Sequence, residues 1–213
     1  MHYRECLIVF TRFPEPGTTK TRLIPRLGSR GAADLQRRMT EHVLAQARPL
    51  RDVRGADLEV RYDGGNAAGM RTWLGEDLAY VRQGAGDIGA RMARALRDAM
   101  AQGYDAMVLI GSDIPGISTA LVQRAFEALA GAPVVLGPAS DGGYYLIGLS
   151  RDMKQADLPA LFAGMPWGSS AVLADTCRRL RRLGCPYILL ETLDDVDRPE
   201  DLPVWERFNP NIA

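Results

Sequence analysis

The stretch that decides the fold runs from Leu7 to Leu23 and reads LIVFTRFPEPGTTKTRL. Its first four residues are all apolar, which is typical of a central strand covered on both faces. Two prolines and a glycine at positions 14–17 then end regular structure and predict a loop at the carboxyl end of that strand. In open α/β sheets, ligands bind at this edge. The sequence therefore predicts a buried strand followed by a ligand-binding loop.

Two cations, Lys20 and Arg22, close this loop, and the only other lysine of the chain is Lys154. An ammonium group serves a phosphate as a point charge, and a guanidinium can bind two of its oxygens. The spacing does not match the Walker pattern, which needs a Lys-Ser/Thr pair after a second glycine. Phosphate binding is therefore one interpretation, and a surface loop with solvated charges is the other.

Composition limits the class of protein. The 213 residues, 46% of them hydrophobic, predict a single domain over 1–213. A formal net charge of zero without a basic stripe argues against nucleic-acid binding. The three cysteines lack the spacing of a disulfide framework or a zinc site. A strand begins within a few residues of Met1 and apolar runs are short, so we expect no signal peptide, no membrane span and a cytoplasmic location.

Strands and helices alternate along the chain. Strands are predicted at 7–10, 57–62, 78–82, 106–110, 133–136, 144–149 and 187–190. Helices are predicted at about 31–50, 66–74, 88–102, 118–130, 169–183 and 199–208. This alternation predicts a three-layer α/β/α sandwich with a mainly parallel sheet. Because 137–149 joins two strands by a glycine turn without a helix, we expect the sheet to be mixed.

Acidic residues follow two of the predicted strands. Asp113, in GSDIPG, follows the 106–110 strand and should face the same crevice as the first loop. Asp195 and Asp197 follow the last strand, and an extended backbone would put both side chains on one face. Such close like charges favour a bound cation, and Mg²⁺ uses one or two carboxylates plus substrate phosphates. The alternatives are a turn or helix cap for Asp113 and an N-cap for Asp197.

The densest turn signal is GPASDGGYY at 137–145. Its glycines permit positive φ angles and let the backbone approach a ligand closely. Contact with a sugar, an acceptor or a base is one interpretation, and a plain Asp-Gly hairpin is the other.

Two further loops carry weaker signals. QGAGDIG at 83–89 leads a glycine loop into a helix start, which suits an anion or a ribose, although Asp87 as an ordinary N-cap explains most of it. Trp167-Gly168-Ser169-Ser170 is either an acceptor-side loop or a packing segment around Trp167. His2 and His42 form no catalytic arrangement, and no nucleophile motif is visible.

Five motifs, in this order, carry a resemblance to a known family: FTRFPEPGTTKTRL, QGAGDIGARM, GSDIPGI, LGPASDGGYYLIGL and DDVDRPEDL. They resemble an uncharacterised transferase-like family often found beside radical-SAM and selenium-related genes. That family is similar to the nucleotide-diphospho-sugar transferases, which have the glycosyltransferase-A fold. It is more distantly similar to the guanylyltransferases that act on 2-phospho-L-lactate and on the molybdenum cofactor.

The resemblance implies roles for individual residues. It implies catalytic roles for Lys20, Arg22, Asp113 and Asp141. It implies Mg²⁺ (or Mn²⁺) binding at Asp113, Asp195 and Asp197. It implies nucleotide contacts at Thr11, Arg12, Pro16, Gly17, Lys20, Arg22, Gln83, Gly84, Gly86, Asp87 and Ser112. The 137–145 turn and the Trp167 loop, read from the residues themselves, supply the candidate acceptor contacts Asp141, Gly142, Gly143, Tyr144, Trp167 and Ser169. The chain departs from related enzymes by lacking a G-x-G-T-R-M core and a full Asp-x-Asp.

We expect a metal-dependent transferase that takes a nucleoside triphosphate or a nucleotide-sugar and a small acceptor. In nucleotidyl transfer an acceptor phosphate attacks the α-phosphorus; in glycosyl transfer an acceptor hydroxyl attacks the sugar, with Asp141 as the candidate base. Neither needs a covalent nucleophile. The alternative is a non-catalytic nucleotide-binding module. The sequence leaves the oligomeric state open, with a homodimer as one candidate.

Overall fold

The computed structural model describes residues 3–208. The seven strands are β1 Glu5–Arg12, β2 Asp57–Asp63, β3 Ala79–Arg82, β4 Ala106–Gly111, β5 Val134–Pro138, β6 Tyr144–Ser150 and β7 Tyr187–Leu189. The helices are α1 Ile24–Ala47, α2 Leu50–Arg54, α3 Ala67–Leu74, α4 Ile88–Ala101, α5 Thr119–Ala128, α6 Leu158–Phe162, α7 Val172–Arg182 and α8 Leu202–Phe208. Short 3₁₀ turns lie at Thr21–Leu23, Gln155–Asp157 and Pro199–Asp201.

The strands form one mixed sheet in the order β3-β2-β1-β4-β6-β5-β7. β1 pairs in parallel with β2 and β4, and β2 with β3. β6 runs antiparallel to both β4 and β5, whereas β5 and β7 are parallel. The predicted mixed, mainly parallel sheet is therefore confirmed, and its one reversed strand is the one that follows the 137–145 turn.

Helices cover both faces of the sheet because alternate residues of the central strands are buried on opposite sides. Leu7 and Val9 of β1 pack into one apolar cluster, and Ile8 and Phe10 into the other. A third cluster joins Leu23 and Val196 to Trp205 of α8. This last cluster ties the segment around Val196 to the end of the β1 loop.

The register brings the ends of several strands to one edge. Phe10 pairs with Gly111 of β4, and Arg12 pairs with Asp63 of β2. The residues that follow β1 and β4 therefore lie next to each other, as expected for the carboxyl edge of a parallel sheet. No helix among residues 3–208 is both long enough and apolar enough to span a bilayer.

The element boundaries differ from the prediction mainly between β1 and β2. α1 consists of two helical segments that meet at Gly28, whose φ of 69° is not helical. Pro25 suits the start of the first segment, which was not predicted, and the second matches the helix predicted from about 31. That helix ends at Ala47, before the predicted end near 50, and the short α2 that follows Pro49 was not predicted. The short α6 was not predicted. His2 lies outside the described residues.

Candidate functional site

Three adjoining cavities open at the carboxyl edge of the sheet. We name them the polar cavity (260 Å³), the apolar cavity (210 Å³) and the acidic cavity (960 Å³). Asp113, which follows β4, lines all three, and so does Ile88 at the start of α4. The Ile88 side chain belongs to an apolar helix stripe in the sequence, yet the residue is 41% exposed here. The edge residues thus form one composite site around Asp113.

Four residues predicted to contact a nucleotide, Thr11, Arg12, Gln83 and Ser112, line the polar cavity together. Behind them lies a buried polar network from α1. Gln36 Nε2 donates to Ser112 Oγ at 3.1 Å, and the hydroxyls of Thr11 and Thr40 are 2.7 Å apart. The sequence prediction did not include Gln36, which is buried and also lines this cavity.

A chain of charges forms the rim of the polar cavity. Arg12 and Arg91 both bind Asp63 Oδ2, at 2.7 and 3.1 Å. The hydrogen bond from Arg12, supported by Arg91, holds the pKa of the Asp63 carboxyl below its usual range. Two guanidinium groups thus share one carboxylate at the rim of the polar cavity.

Gln83 lines the polar cavity but its side chain is occupied within the protein. Its Nε2 donates to the carbonyl oxygens of Thr11 and Arg61, both at 3.1 Å, and its Oε1 accepts from Arg91 at 3.2 Å. Gln83 therefore holds the ends of β1 and β2 together beneath the cavity.

Lys20 occupies a different place from the one that its sequence position suggests. Its side chain is 3% exposed, and Nζ donates to the Val196 carbonyl oxygen at 2.5 Å and lies 2.9 Å from Asp113 Oδ1. Among residues 3–208, Lys20 is the one non-glycine residue with positive φ, at 50°. Through these contacts Lys20 joins the β1 loop to the segments that carry Asp113 and Val196, and it does not line any of the three cavities.

The segment after β7 packs directly against Asp113. The backbone N–H of Val196 donates to the Asp113 carbonyl oxygen at 3.0 Å, and Leu193 bridges in parallel to Ala139. Val196 is fully buried, whereas its neighbours Asp195 and Asp197 both line the acidic cavity. The extended backbone thus places both carboxylates on one face, as the sequence pattern indicates.

The two carboxylates of this segment have different surroundings. Burial, together with the negative charge of Asp141, raises the pKa of Asp195 to about 6. Asp197 instead forms an ion pair with Arg22. Asp197 is not the N-cap of the last helix, since Asp201 Oδ2 accepts the backbone N–H groups of Asp197 and Arg198 at 3.0 and 2.7 Å.

A divalent cation has suitable oxygen donors here. Asp113 and Asp195 line both the apolar and the acidic cavity. Asp113 Oδ1 is enclosed and lies 2.9 Å from the Lys20 ammonium, while the Asp113 side chain as a whole is 47% exposed. Within residues 3–208, no group of three or more His, Cys, Asp or Glu side chains is disposed to hold a metal ion. The three-carboxylate set is therefore not preassembled. Mg²⁺ in nucleotide sites commonly takes only one or two carboxylates, with phosphates completing its shell.

Three residues predicted to contact an acceptor, Asp141, Gly143 and Tyr144, line the apolar cavity. They belong to the hairpin that joins β5 to β6, in which Asp141 Oδ1 accepts from the Gly143 N–H at 2.8 Å. Burial raises the pKa of the Tyr144 hydroxyl, which has no aligned hydrogen-bond partner among the described residues although Thr176 lies beside it. The hairpin is therefore both a tight turn and a wall of the cavity.

The loop that carries Trp167 packs against this hairpin. A Cβ at Gly142, where φ is 88°, would lie 2.2 Å from the Ser170 carbonyl oxygen, and a Cβ at Gly89 would lie 2.3 Å from the Trp167 ring. The Trp167 ring stacks on Phe162 at 6.4 Å and meets Tyr144 edge-on at 6.3 Å. Trp167 thus packs between Phe162 and Tyr144, and an acceptor contact for it stays a prediction.

Several other predicted contact residues do not line the three cavities. Asp87 is an N-cap, since its Oδ1 accepts from the Ala90 N–H at 2.8 Å. Six other residues predicted to contact the nucleotide or the acceptor lie in the loops that surround the cavities but do not line them: Pro16, Gly17, Gly84, Gly86, Gly142 and Ser169. Roles for them and for the cavity residues in binding stay predictions.

Comparison with known proteins identifies the family. A family model described as an uncharacterized protein conserved in bacteria (DUF2064) matches residues 46–169. The chain belongs to this family. This chain is also similar to a solved structure of a candidate nucleotide-diphospho-sugar transferase from Desulfovibrio desulfuricans G20. That protein is 35% identical, with a TM-score of 0.85 over 100% of this chain and 90% of the other. No protein of curated function matches the sequence.

More distant solved structures share the fold. CMP:2-keto-3-deoxy-manno-octonic acid synthetase complexed with CTP is 13% identical, with a TM-score of 0.60 over 99% of this chain and all of the other. Rv0371c from Mycobacterium tuberculosis H37Rv, in a complex with manganese, is 17% identical, with a TM-score of 0.54 over 99% of this chain and all of the other. At these identities the likeness shows the fold alone, which is that of the nucleotide-diphospho-sugar transferases.

Proposed function

We propose that this DUF2064 protein is a metal-dependent transferase that binds a nucleoside triphosphate or a nucleotide-sugar and transfers a nucleotidyl or glycosyl group to a small acceptor. The observation that carries the proposal is the position of Asp113, at the end of β4 and at the junction of three cavities of different polarity. A transfer reaction needs a donor, a charge-neutralising centre and an acceptor side by side. Each cavity is suited to one of these.

The polar cavity suits the nucleoside part of a donor. It combines the polar floor of Thr11, Gln36 and Ser112 with the arginine rim. The acidic cavity suits the phosphates together with their metal, since it holds six aspartates and two arginines, Arg22 and Arg198. Anionic phosphates enter such a cavity only with a cation that offsets the carboxylates.

Asp113 and Asp195 would hold the Mg²⁺ or Mn²⁺ ion. When bound, a divalent ion neutralises charge on the departing phosphate groups. The guanidinium of Arg22 would bind phosphate oxygens after leaving Asp197, and the Lys20 ammonium keeps Asp113 in place from below. These residues position and neutralise, which is sufficient for phosphoryl-type chemistry without a covalent nucleophile.

The two versions differ in the bonds that change. In nucleotidyl transfer, an acceptor oxygen bonds to the α-phosphorus and the bond to the β-phosphate oxygen breaks, releasing pyrophosphate. In glycosyl transfer, an acceptor oxygen bonds to the sugar carbon, and the bond to the nucleoside diphosphate breaks. The position of Asp141 on the wall of the apolar cavity favours the second version, because an acceptor hydroxyl must give its proton to a base.

Thermal stabilisation by nucleoside triphosphates and nucleotide-sugars, each with and without Mg²⁺, tests the proposal. A donor at a hundred times its dissociation constant adds about 2.7 kcal/mol, or about 5–10 °C for a chain of this size. We expect a Mg²⁺-dependent shift that Asp113→Ala abolishes and that Asp152→Asn, an exposed carboxylate outside the three cavities, leaves unchanged. A shift with nucleotide-sugars alone selects glycosyl transfer. Binding without turnover of any donor would indicate a non-catalytic module, and no shift at all would refute nucleotide binding.

A further inference from the structure

The apolar cavity has a charge composition that limits its ligand. Its walls come from the core side chains of β4 and β6 and from α4, among them Leu109, Ile147 and Met92. Its charged lining consists of three carboxylates, Asp113, Asp141 and Asp195, and the described residues place no Lys, Arg or His on its walls. The Lys20 ammonium pairs with Asp113 but does not line the cavity, so an anionic group here would face carboxylates and find no cation on the cavity walls.

A bound metal would not reverse this balance. Two positive charges from one divalent ion, with the charge of Lys20 that is paired with Asp113, would offset the three carboxylates and leave no excess positive charge. Arg22 lines the neighbouring acidic cavity and is paired with Asp197. A phosphate or carboxylate on the acceptor would therefore lose hydration beside three carboxylates without gaining a cationic partner of its own, which is costly against apolar walls.

The body of the ligand is indicated by the rest of the lining. Phe10, Tyr144 and Tyr145 place aromatic rings on the cavity, and the Tyr145 hydroxyl is turned away to donate to the Glu191 carbonyl oxygen at 3.1 Å. The Tyr144 hydroxyl is enclosed beside Thr176, a residue that does not line the cavity, so Tyr144 offers the cavity mainly its ring. Aromatic and aliphatic walls with a few polar groups are typical of sites for small organic molecules.

We propose that the acceptor is a small neutral or cationic molecule with an apolar or ring-shaped body and without a phosphate or carboxylate group. This inference rests on the proposed transferase function. Its nucleophile is then a hydroxyl or an amine. When that oxygen or nitrogen forms its new bond to the donor, the donor's leaving-group bond breaks and the proton passes to a carboxylate. Asp141 is placed for this because, unlike Asp113, it has no contact with Lys20.

Probes that share one ring-shaped body and differ in the charged group they carry test this selectivity. One series is benzyl alcohol, benzylamine, benzyl phosphate and phenylacetate; the other is glucose, glucosamine, glucose 6-phosphate and glucuronate. Thermal stabilisation is measured for the whole protein with and without Mn²⁺, in the absence of nucleotide. We expect stabilisation by neutral or cationic members of at least one series and none by their anionic partners.

Two variants locate the effect. Asp141→Asn should reduce the preference for benzylamine over benzyl alcohol, or for glucosamine over glucose, by about two- to fivefold, as expected for one partly exposed charge. Asp152→Asn, which changes a remote exposed carboxylate, should leave that preference unchanged. Equal or tighter binding of an anionic partner, an unchanged preference in Asp141→Asn, or no binding in either series would overturn the inference. Because no nucleotide is present, these results are independent of donor binding, whose failure would refute the proposed function alone.

Discussion

Replacement of Lys20 by methionine tests whether this lysine is a buried tie between segments or a free phosphate ligand. Methionine keeps most of the aliphatic stem and the backbone preference but removes the ammonium group. The variant loses a charged hydrogen bond to the Val196 carbonyl oxygen, worth about 1.5–3 kcal/mol, and leaves that carbonyl unpaired. It also loses the contact with Asp113, whose side chain is 47% exposed, so that this term is about 0.2–1 kcal/mol.

The sum predicts a loss of about 2–4 kcal/mol in the free energy of unfolding, without any ligand present. In a chain of 213 residues this lowers Tm by roughly 5–15 °C. The matched control is Lys154→Met, since Lys154 is the other lysine of the chain and is exposed; it should change stability by less than about 0.5 kcal/mol. Urea denaturation monitored by circular dichroism measures both. Equal stabilities of the two variants would show that Lys20 does not stabilise the fold and would favour a role for it as a free phosphate ligand.

Three further predictions concern the acidic segment, the hairpin and the α4 contact. Because the pKa of Asp195 is raised in the folded state, its destabilising effect is absent near pH 4, grows as pH rises and is complete above about pH 6. Asp195→Asn should therefore raise stability at pH 7.5 by about 1–3 kcal/mol and give no gain at pH 4; a gain independent of pH would contradict this. Gly142→Ala should cost at least about 2 kcal/mol more than Gly184→Ala, because both have positive φ but only position 142 has a backbone oxygen 2.2 Å from the new Cβ. Equal losses in chemical denaturation would show that the loop yields freely. Gly89→Ala gains about 1 kcal/mol of helix propensity, but its new Cβ should displace the Trp167 ring and change tryptophan emission. Unchanged emission would mean that the ring does not contact α4.

The sheet could be predicted because local patterns determine it. Leu7–Phe10 and the strand before Asp113 are continuous apolar runs, and such runs form central strands wherever helices alternate with them. The meeting of Thr11, Arg12 and Ser112 at one cavity followed from the rule that the carboxyl ends of parallel strands share an edge. The reversed strand was signalled by a glycine turn too short for a crossover helix.

Other features of the site depend on contacts between distant parts of the chain. Lys20 reaches Val196, 176 residues away, and no local pattern predicts that its ammonium is buried. Gln36 could have been noticed, because it and Thr40 are polar residues four positions apart on the buried face of α1, among Leu35, Met39 and Val43. Ile88 fitted the apolar stripe of α4, but the stripe does not reveal that the helix begins at the mouth of the cavities.

The most direct test of the central claim is a crystal of the protein grown with Mn²⁺ and the nucleotide that gives the largest thermal shift, measured at a wavelength where manganese scatters anomalously. We expect an anomalous peak within about 2.2 Å of an Asp113 carboxylate oxygen, with phosphates beside Arg22 and the nucleoside in the polar cavity. A nucleotide bound elsewhere, or a manganese ion that does not contact Asp113, would contradict the claim that this residue is the centre of a nucleotide-dependent transferase site.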